Sequence, residues 1–329
     1  MEKFSTLILV TIISVIYLAA CSAPKIGETS TPDVALYKTR FELEIRSYEN
    51  ISKAIGLSSM RVDHHFINKR ESFFDENGQR RFEVLILPAP LLAWEYFGNP
   101  PGTGINCEGV ENIYDFIESG GSVIGLCWFG SALFSSNAER FQCYPWESQR
   151  GLWDCRHSFL GFFYRMCGSY AFKGVISGPQ ESNRPYPKSR FLPIKMNATN
   201  EIVQQAKLPR FVHQLVVGGG SIIPSQGQLI DIVGWYPNGT VAIGVVPFGK
   251  GHIIMSNPHP NITGRGAEYL DHEGWETHVR KDLFWTEDMI SKEKQVLKNM
   301  IDPDGWEPDW ALAKGMLSYA YKKAREARE

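Results

Sequence analysis

Apolar residues in this chain recur with two different periods, separated by glycine and proline breaks. Between residues 41 and 56 they fall at Phe41, Ile45, Tyr48, Ile51 and Ile55, the spacing of one helix face, and Gly56 supplies a C-cap. Residues 82–87 are instead a nearly continuous apolar run ended by Pro88, the pattern of a strand covered on both faces in a parallel sheet. The next unit repeats the alternation. Residues 110–119 have helical spacing, Gly120-Gly121 breaks it, 122–126 form a short apolar strand, Cys127 follows, and 128–134 begin another helix. Such a crossover unit puts its sharp turn at the carboxyl end of a strand, the edge where open α/β sheets bind ligands. The pattern predicts an α/β fold with a doubly wound, mostly parallel sheet.

Residues 137–209 lack a sustained period, because Trp146, Trp153, Tyr164 and Tyr170 are interspersed with breakers such as Pro179, Pro185 and Pro187. They read as loops and short strands packed beside the sheet. Order returns at 212–217, followed by Gly218-Gly219-Gly220 and strand-like runs at 229–236, 241–246 and 252–256. Pro237-Asn238-Gly239 and Gly249-Lys250-Gly251 are the turns between those runs. Residues 286–299 and 310–328 are helical by pattern, the latter charge-rich at its end. The chain contains no internal repeat.

The amino-terminal pattern predicts export. Lys3 precedes an apolar run over 4–18, long enough for the core of a signal peptide and too short for a transmembrane span. Leu18-Ala19-Ala20-Cys21 then resembles a bacterial lipobox, which implies lipidation at Cys21 and a membrane-anchored lipoprotein. Ordinary cleavage after Ala20 or Ala23, giving a secreted soluble protein, is the alternative, and the sequons at Asn50, Asn197, Asn238 and Asn261 keep a glycosylated product open. The expected layout is a signal peptide over 1–21, a polar linker over 22–33, one α/β domain over 34–285 and C-terminal helices over 286–329.

Composition narrows the function classes. The 329 residues are 43% hydrophobic, enough to bury a sizeable core, and 34 Lys plus Arg against 36 Asp plus Glu leave a net charge of -2. That balance gives no footprint for nucleic acid. Setting Cys21 aside, Cys107, Cys127, Cys143, Cys155 and Cys167 are an odd number for an oxidising compartment, so one thiol is expected to stay free. Cys107, Cys143, Cys155 and Cys167 are the disulfide candidates, with connectivity open. No metal is expected: Cys-x-x-Cys is absent, His64-His65 are read on a strand where neighbours point apart, and His272, Glu273 and His278 lack His-Glu-x-x-His spacing. No cofactor is expected either.

Candidate chemistry centres on two segments. Gly125-Leu126-Cys127 with Gly130 and Ser131 fits a tight strand-to-helix turn, which exposes a nucleophile beside the positive end of a helix. A small buried hydrophobe closing a core strand is the plainer reading of the same cysteine. The second segment delivers His259 between Pro258 and Pro260 at the carboxyl end of the 252–256 strand, the edge where Cys127 emerges. There His259 is placed to take the thiol proton, with Asn261 orienting the ring, although a loop histidine bonded to a carbonyl is the plainer reading.

Together, residues 116–127, Gly218-Gly219-Gly220 and the Gly249-Lys250-Gly251 strand leading to Pro258-His259-Pro260 resemble the class I glutamine amidotransferase-like family, most nearly the N-terminal domain of biotin-protein ligases. The resemblance covers about 82–265 and implies a flavodoxin-like sheet, Cys127 as nucleophile and His259 as general base. It implies a pocket lined by Ala89, Trp128 and Gly219. Three positions depart from the family pattern: Asn261 where members carry an acid, Pro88-Ala89-Pro90 where they carry Pro-Gly-Gly, and Trp128-Phe129 where they carry small residues. Pro90 has no N–H to donate. The acid is then left to another residue such as Glu268 or Asp271. The expected function is a cysteine hydrolase acting on an amide or ester of an unknown small molecule, with no synthetase domain in this chain. A catalytically silent binding domain of the same fold is the alternative.

Overall fold

A computed structural model describes residues 31–39, 42–89, 104–127, 162–165, 189–217, 221–224, 229–261, 280, 286–300 and 310–329. Cys21, Trp128, Cys143, Cys155, Cys167, Gly219, Glu268 and Asp271 lie outside the described residues. The described strands are β1 Val34–Tyr37, β2 Ser59–Val62, β3 Val84–Leu87, β4 Ser122–Leu126, β5 Phe162–Arg165, β6 Ser189–Met196, β7 Phe211–Val217, β8 Ser221–Pro224, β9 Asp231–Trp235, β10 Val241–Phe248 and β11 Gly251–Ser256. The helices are α1 Glu42–Ala54, α2 His64–Ile67, α3 Arg70–Phe73, α4 Cys107–Glu118, α5 Glu201–Gln205, α6 Glu287–Met300 and α7 Ala311–Glu326.

Five strands form the parallel heart of the sheet in the order β2-β1-β3-β4-β11. That is the flavodoxin-like order, with the direction of winding reversing between β1 and β3. β1, β3 and β4 are buried at every residue, as their continuous apolar runs require of strands covered on both faces. Alternate side chains divide into two cores. Ala35, Tyr37, Leu85, Leu87, Val123, Ile253 and Met255 pack with Ile113, Phe116 and Ile117 of α4 on one face. Val34, Leu36, Val84, Ile86, Ile124 and Ile254 pack with Tyr48 and Ile51 of α1 and with Leu312, Met316 and Ala320 of α7 on the other. The C-terminal helix therefore closes the sheet's second face, through a stripe at i, i+4 and i+8. The sheet is doubly wound.

Beyond β11 the sheet continues antiparallel as β10-β9-β6-β7, with β8 joined to β10 and β5 to β8. The Gly249-Lys250-Gly251 turn that starts β11 sits against the end of α4. A Cβ on Gly251 would lie 2.1 Å from the Gly121 carbonyl oxygen and 2.2 Å from that of Ile117, so no side chain fits. The stretch read as loops and short strands contains the eight-residue strand β6, paired along its length with β7, and the helix α5. Pro193 in mid-strand hid β6 from pattern reading. His64 and His65 are on the helical turn α2, capped by the Asp63 side chain, and not on a strand as expected. Among the described residues no helix is long and apolar enough to cross a membrane.

At the amino ends of the strands, opposite the edge where Cys127 emerges, a buried ion pair ties three elements. Arg80 Nη2 lies 3.2 Å from Glu83 Oε2 and donates to the Ala324 carbonyl of α7 at 2.8 Å, while its Nη1 donates to the Ser119 carbonyl after α4. Arg328 reaches Glu83 Oε1 at 3.0 Å from the chain's end. Burial lowers the Arg80 pKa, against the hydrogen bond and charge of Glu83.

Candidate active site

Cys127 follows the last residue of β4 and holds φ at 54°, a left-handed conformation uncommon for a residue with a side chain. Strain of that kind persists where surrounding structure fixes it, and it marks a sharp turn at the end of the strand. β4 and β11 are in register to their ends, Leu126 opposite Ser256, so the loop leaving β11 starts beside Cys127. That loop is pinned at both ends. Ser256 Oγ donates to the Pro258 carbonyl at 2.8 Å, and the His259 N–H donates to the Leu215 carbonyl of β7 at 2.8 Å. The histidine backbone is thus fixed by the antiparallel half of the sheet.

The His259 ring is buried, 2% exposed, and its Nδ1 lies 2.9 Å from Oε1 of Glu44, which is 0% exposed. Glu44 belongs to the first turn of α1, which follows β1. Its second oxygen, Oε2, accepts from the backbone N–H of Ala89 just past β3. The carboxylate therefore spans the β1/β3 reversal point, and the Thr39 hydroxyl holds the Ala89 carbonyl at 3.3 Å. Burial pulls the imidazole pKa down. The hydrogen bond to Cys127 and the hydrogen bond and charge of Glu44 outweigh it, and the pKa is pushed up to about 10. At neutral pH the ring therefore keeps its second proton, with Nδ1 facing Glu44. With Nδ1 on Glu44, Nε2 is the ring's remaining nitrogen.

The structure thus brings Cys127 and His259 together and adds a residue that sequence reasoning missed. The orienting position expected for Asn261 is filled by Glu44, 215 residues before the histidine in the chain. Asn261 is buried in the same loop, and its amide atoms make no hydrogen bond among the described residues. One signal for Glu44 was present: with Tyr48 and Ile51 it occupies the apolar stripe of α1, where an acid needs a partner. Ala89 is at the site, but its N–H is committed to Glu44 and so does not face a bound carbonyl. Cys107 begins α4, with its side chain outside the described atoms, and its suggested disulfide partners are outside the described residues. Cys127 is a free thiol, 6% exposed. Among the described residues no three His, Cys, Asp or Glu side chains group to hold a metal ion.

No protein-family model matches this chain, and no curated protein does. Solved structures similar to it include a glutamine amidotransferase from Thermotoga maritima, at 11% identity and a TM-score of 0.46, covering 88% of this chain and 97% of that one. Others are PurLQS from Thermotoga maritima, at 11% identity and a TM-score of 0.39, covering 80% and 98%, and a β-galactosidase from Bacillus circulans, at 12% and 0.42, covering 78% and 32%. At these values the likeness carries nothing about activity.

Proposed function

We propose that this protein is a cysteine hydrolase that cleaves an amide or ester through Cys127, with His259 as proton carrier and Glu44 as the residue that orients and charges it. The observation behind the reading is the chain from Cys127 through the buried imidazole to the buried carboxylate. In acylation the thiolate attacks the carbonyl carbon, and the tetrahedral adduct expels the amine or alcohol, which takes a proton from His259. The resulting thioester no longer carries the Cys127 charge. One of the two influences that hold the imidazole pKa up is then gone while burial still lowers it, so the ring becomes a competent base. It takes a proton from water, hydroxide adds to the thioester, and collapse returns the acid product, the thiolate and the imidazolium.

The resemblance of the Cys127 and His259 segments to the biotin-protein ligase N-terminal domain supports this placement within the amidotransferase-like fold. The apolar leader and the Cys21 motif support export and a lipid anchor, with the folded domain outside the cytoplasm. A silent binding domain is the second reading, favoured by the commitment of the Ala89 N–H to Glu44 at the place where family members supply an oxyanion donor.

Mass spectrometry after mixing with activated esters and amides tests the reading. The expected result is an acyl adduct on Cys127 that accumulates and decays with turnover, and is absent from Cys127→Ala. Neither adduct nor turnover across acyl groups of different size would leave only the binding domain.

A further inference from the structure

Asn257 and Asn261 flank His259 at two residues on either side, in the loop that leaves β11 beside Cys127. They are 3% and 2% exposed, and Nδ2 and Oδ1 of both are buried without a hydrogen-bond partner among the described residues. Other buried or half-buried asparagines use at least one end of the amide. Asn112 Nδ2 donates to the Ile67 carbonyl at 3.1 Å, Asn68 Nδ2 to that of Gly104 at 2.8 Å, and Asn197 Nδ2 to that of Ile232 at 2.8 Å. Asn200 accepts from the Ile202 N–H through Oδ1 while its Nδ2 is unpaired among the described residues, so Asn257 and Asn261 stand apart in lacking partners at both ends. Leaving an amide dry and unpaired is costly, and native folds seldom do so without a use for the group. Here four such atoms bracket the proposed base.

We propose that Asn257 and Asn261 form a substrate subsite that receives a neutral planar amide unit next to the carbonyl attacked by Cys127. The inference rests on the hydrolase reading and names the chemistry that its site selects. Two carboxamides offer donors and acceptors together, with no net charge. A carboxylate only accepts, so it would leave both Oδ1 atoms unpaired and would bring a charge into a buried site. An amide unit donates and accepts in one plane and brings no charge into a buried site.

The test compares alkylation of Cys127 by iodoacetamide and by iodoacetate, which differ in the group that the subsite reads. Each rate is taken relative to that of free cysteine with the same reagent. The native protein should favour iodoacetamide by about tenfold, the ratio that roughly two modest hydrogen bonds supply. In Asn257→Leu and Asn261→Leu that preference should fall several-fold, and the denaturation midpoint should rise because an unpaired buried amide is replaced by an apolar group of similar size. Asn261→Ala carries the same rate comparison if a leucine variant does not fold. A preference unchanged by the substitutions overturns the proposal. So does a lower midpoint in both leucine variants, which marks the amides as bonded structure. If Cys127 reacts no faster than free cysteine with either reagent, the hydrolase reading fails and the subsite with it. Accelerated, His259-dependent alkylation without the amide preference sinks the subsite alone.

Discussion

Replacing Glu44 by Gln keeps the shape of the side chain and removes its charge. A rise of the imidazole pKa from 6.5 to about 10 corresponds to ~5 kcal/mol of preference for the protonated ring, shared between Cys127 and Glu44. Loss of the carboxylate should therefore destabilise the protein by ~2–3 kcal/mol near pH 6, toward the lower end of what breaking a buried charge pair costs. The cost should shrink as pH approaches 10, where the native ring also loses its proton. A second effect is chemical. The carboxamide of Glu44→Gln would accept from the Ala89 N–H through its oxygen and present its NH2 to Nδ1, which forces the neutral tautomer with a proton on Nε2. That tautomer cannot accept a thiol proton, so alkylation of Cys127 at neutral pH should fall roughly 100-fold. Urea unfolding of native protein and Glu44→Gln at three pH values between 6 and 9.5, with alkylation rates on the same samples, measures both. A cost independent of pH, or no change in thiol reactivity, would refute the coupling between Glu44 and His259.

Three further outcomes follow from the geometry. Because the folded His259 pKa lies above its unfolded value, the stability it contributes is full below about pH 6.5 and is lost as pH rises toward about 10; unfolding of native protein and Cys127→Ala should show a shallower alkaline loss in the variant, since one raising influence is gone. Glu83→Gln should cost about 3–5 kcal/mol in urea unfolding by leaving Arg80 buried without its partner, yet leave Cys127 alkylation per folded molecule unchanged, because the pair lies at the far edge of the sheet. Gly251→Ala should destabilise by more than about 3 kcal/mol, or prevent folding, since its Cβ meets backbone oxygen at 2.1 Å, whereas Gly239→Ala meets nothing within 4 Å and should cost about 1–2 kcal/mol for its φ of +82° alone.

What was legible in the sequence follows from which contacts are local. β3, β4 and β11 are strands buried on both faces, so their apolar runs announce them, and the Gly-Gly and Gly-Lys-Gly breaks mark where backbone meets backbone. The helices α1, α4 and α7 carry their face in their spacing. β6 was obscured because Pro193 and the polar Arg190 and Lys195 interrupt the alternation, and its stability comes from β7, a partner that begins fifteen residues further on. The packing of α7 against the sheet was likewise invisible, since nothing local says which surface an amphipathic helix will cover. Cys127 and His259 were legible because both terminate apolar strands at breaker-rich turns. Glu44 was not, because acids are ordinary in the first turn of a helix, and only the fold shows that this turn lies over the end of β3, against Ala89.

The most direct measurement is the pH profile of Cys127 alkylation by iodoacetamide in native protein, His259→Ala and Glu44→Gln, with the modified residue identified by peptide mass. The account predicts rapid labelling at pH near 6, where an ordinary thiol is protonated and slow, and a loss of that acid-side reactivity in both variants. Labelling that follows a free thiol's profile in native protein, or that is indifferent to His259, would contradict it.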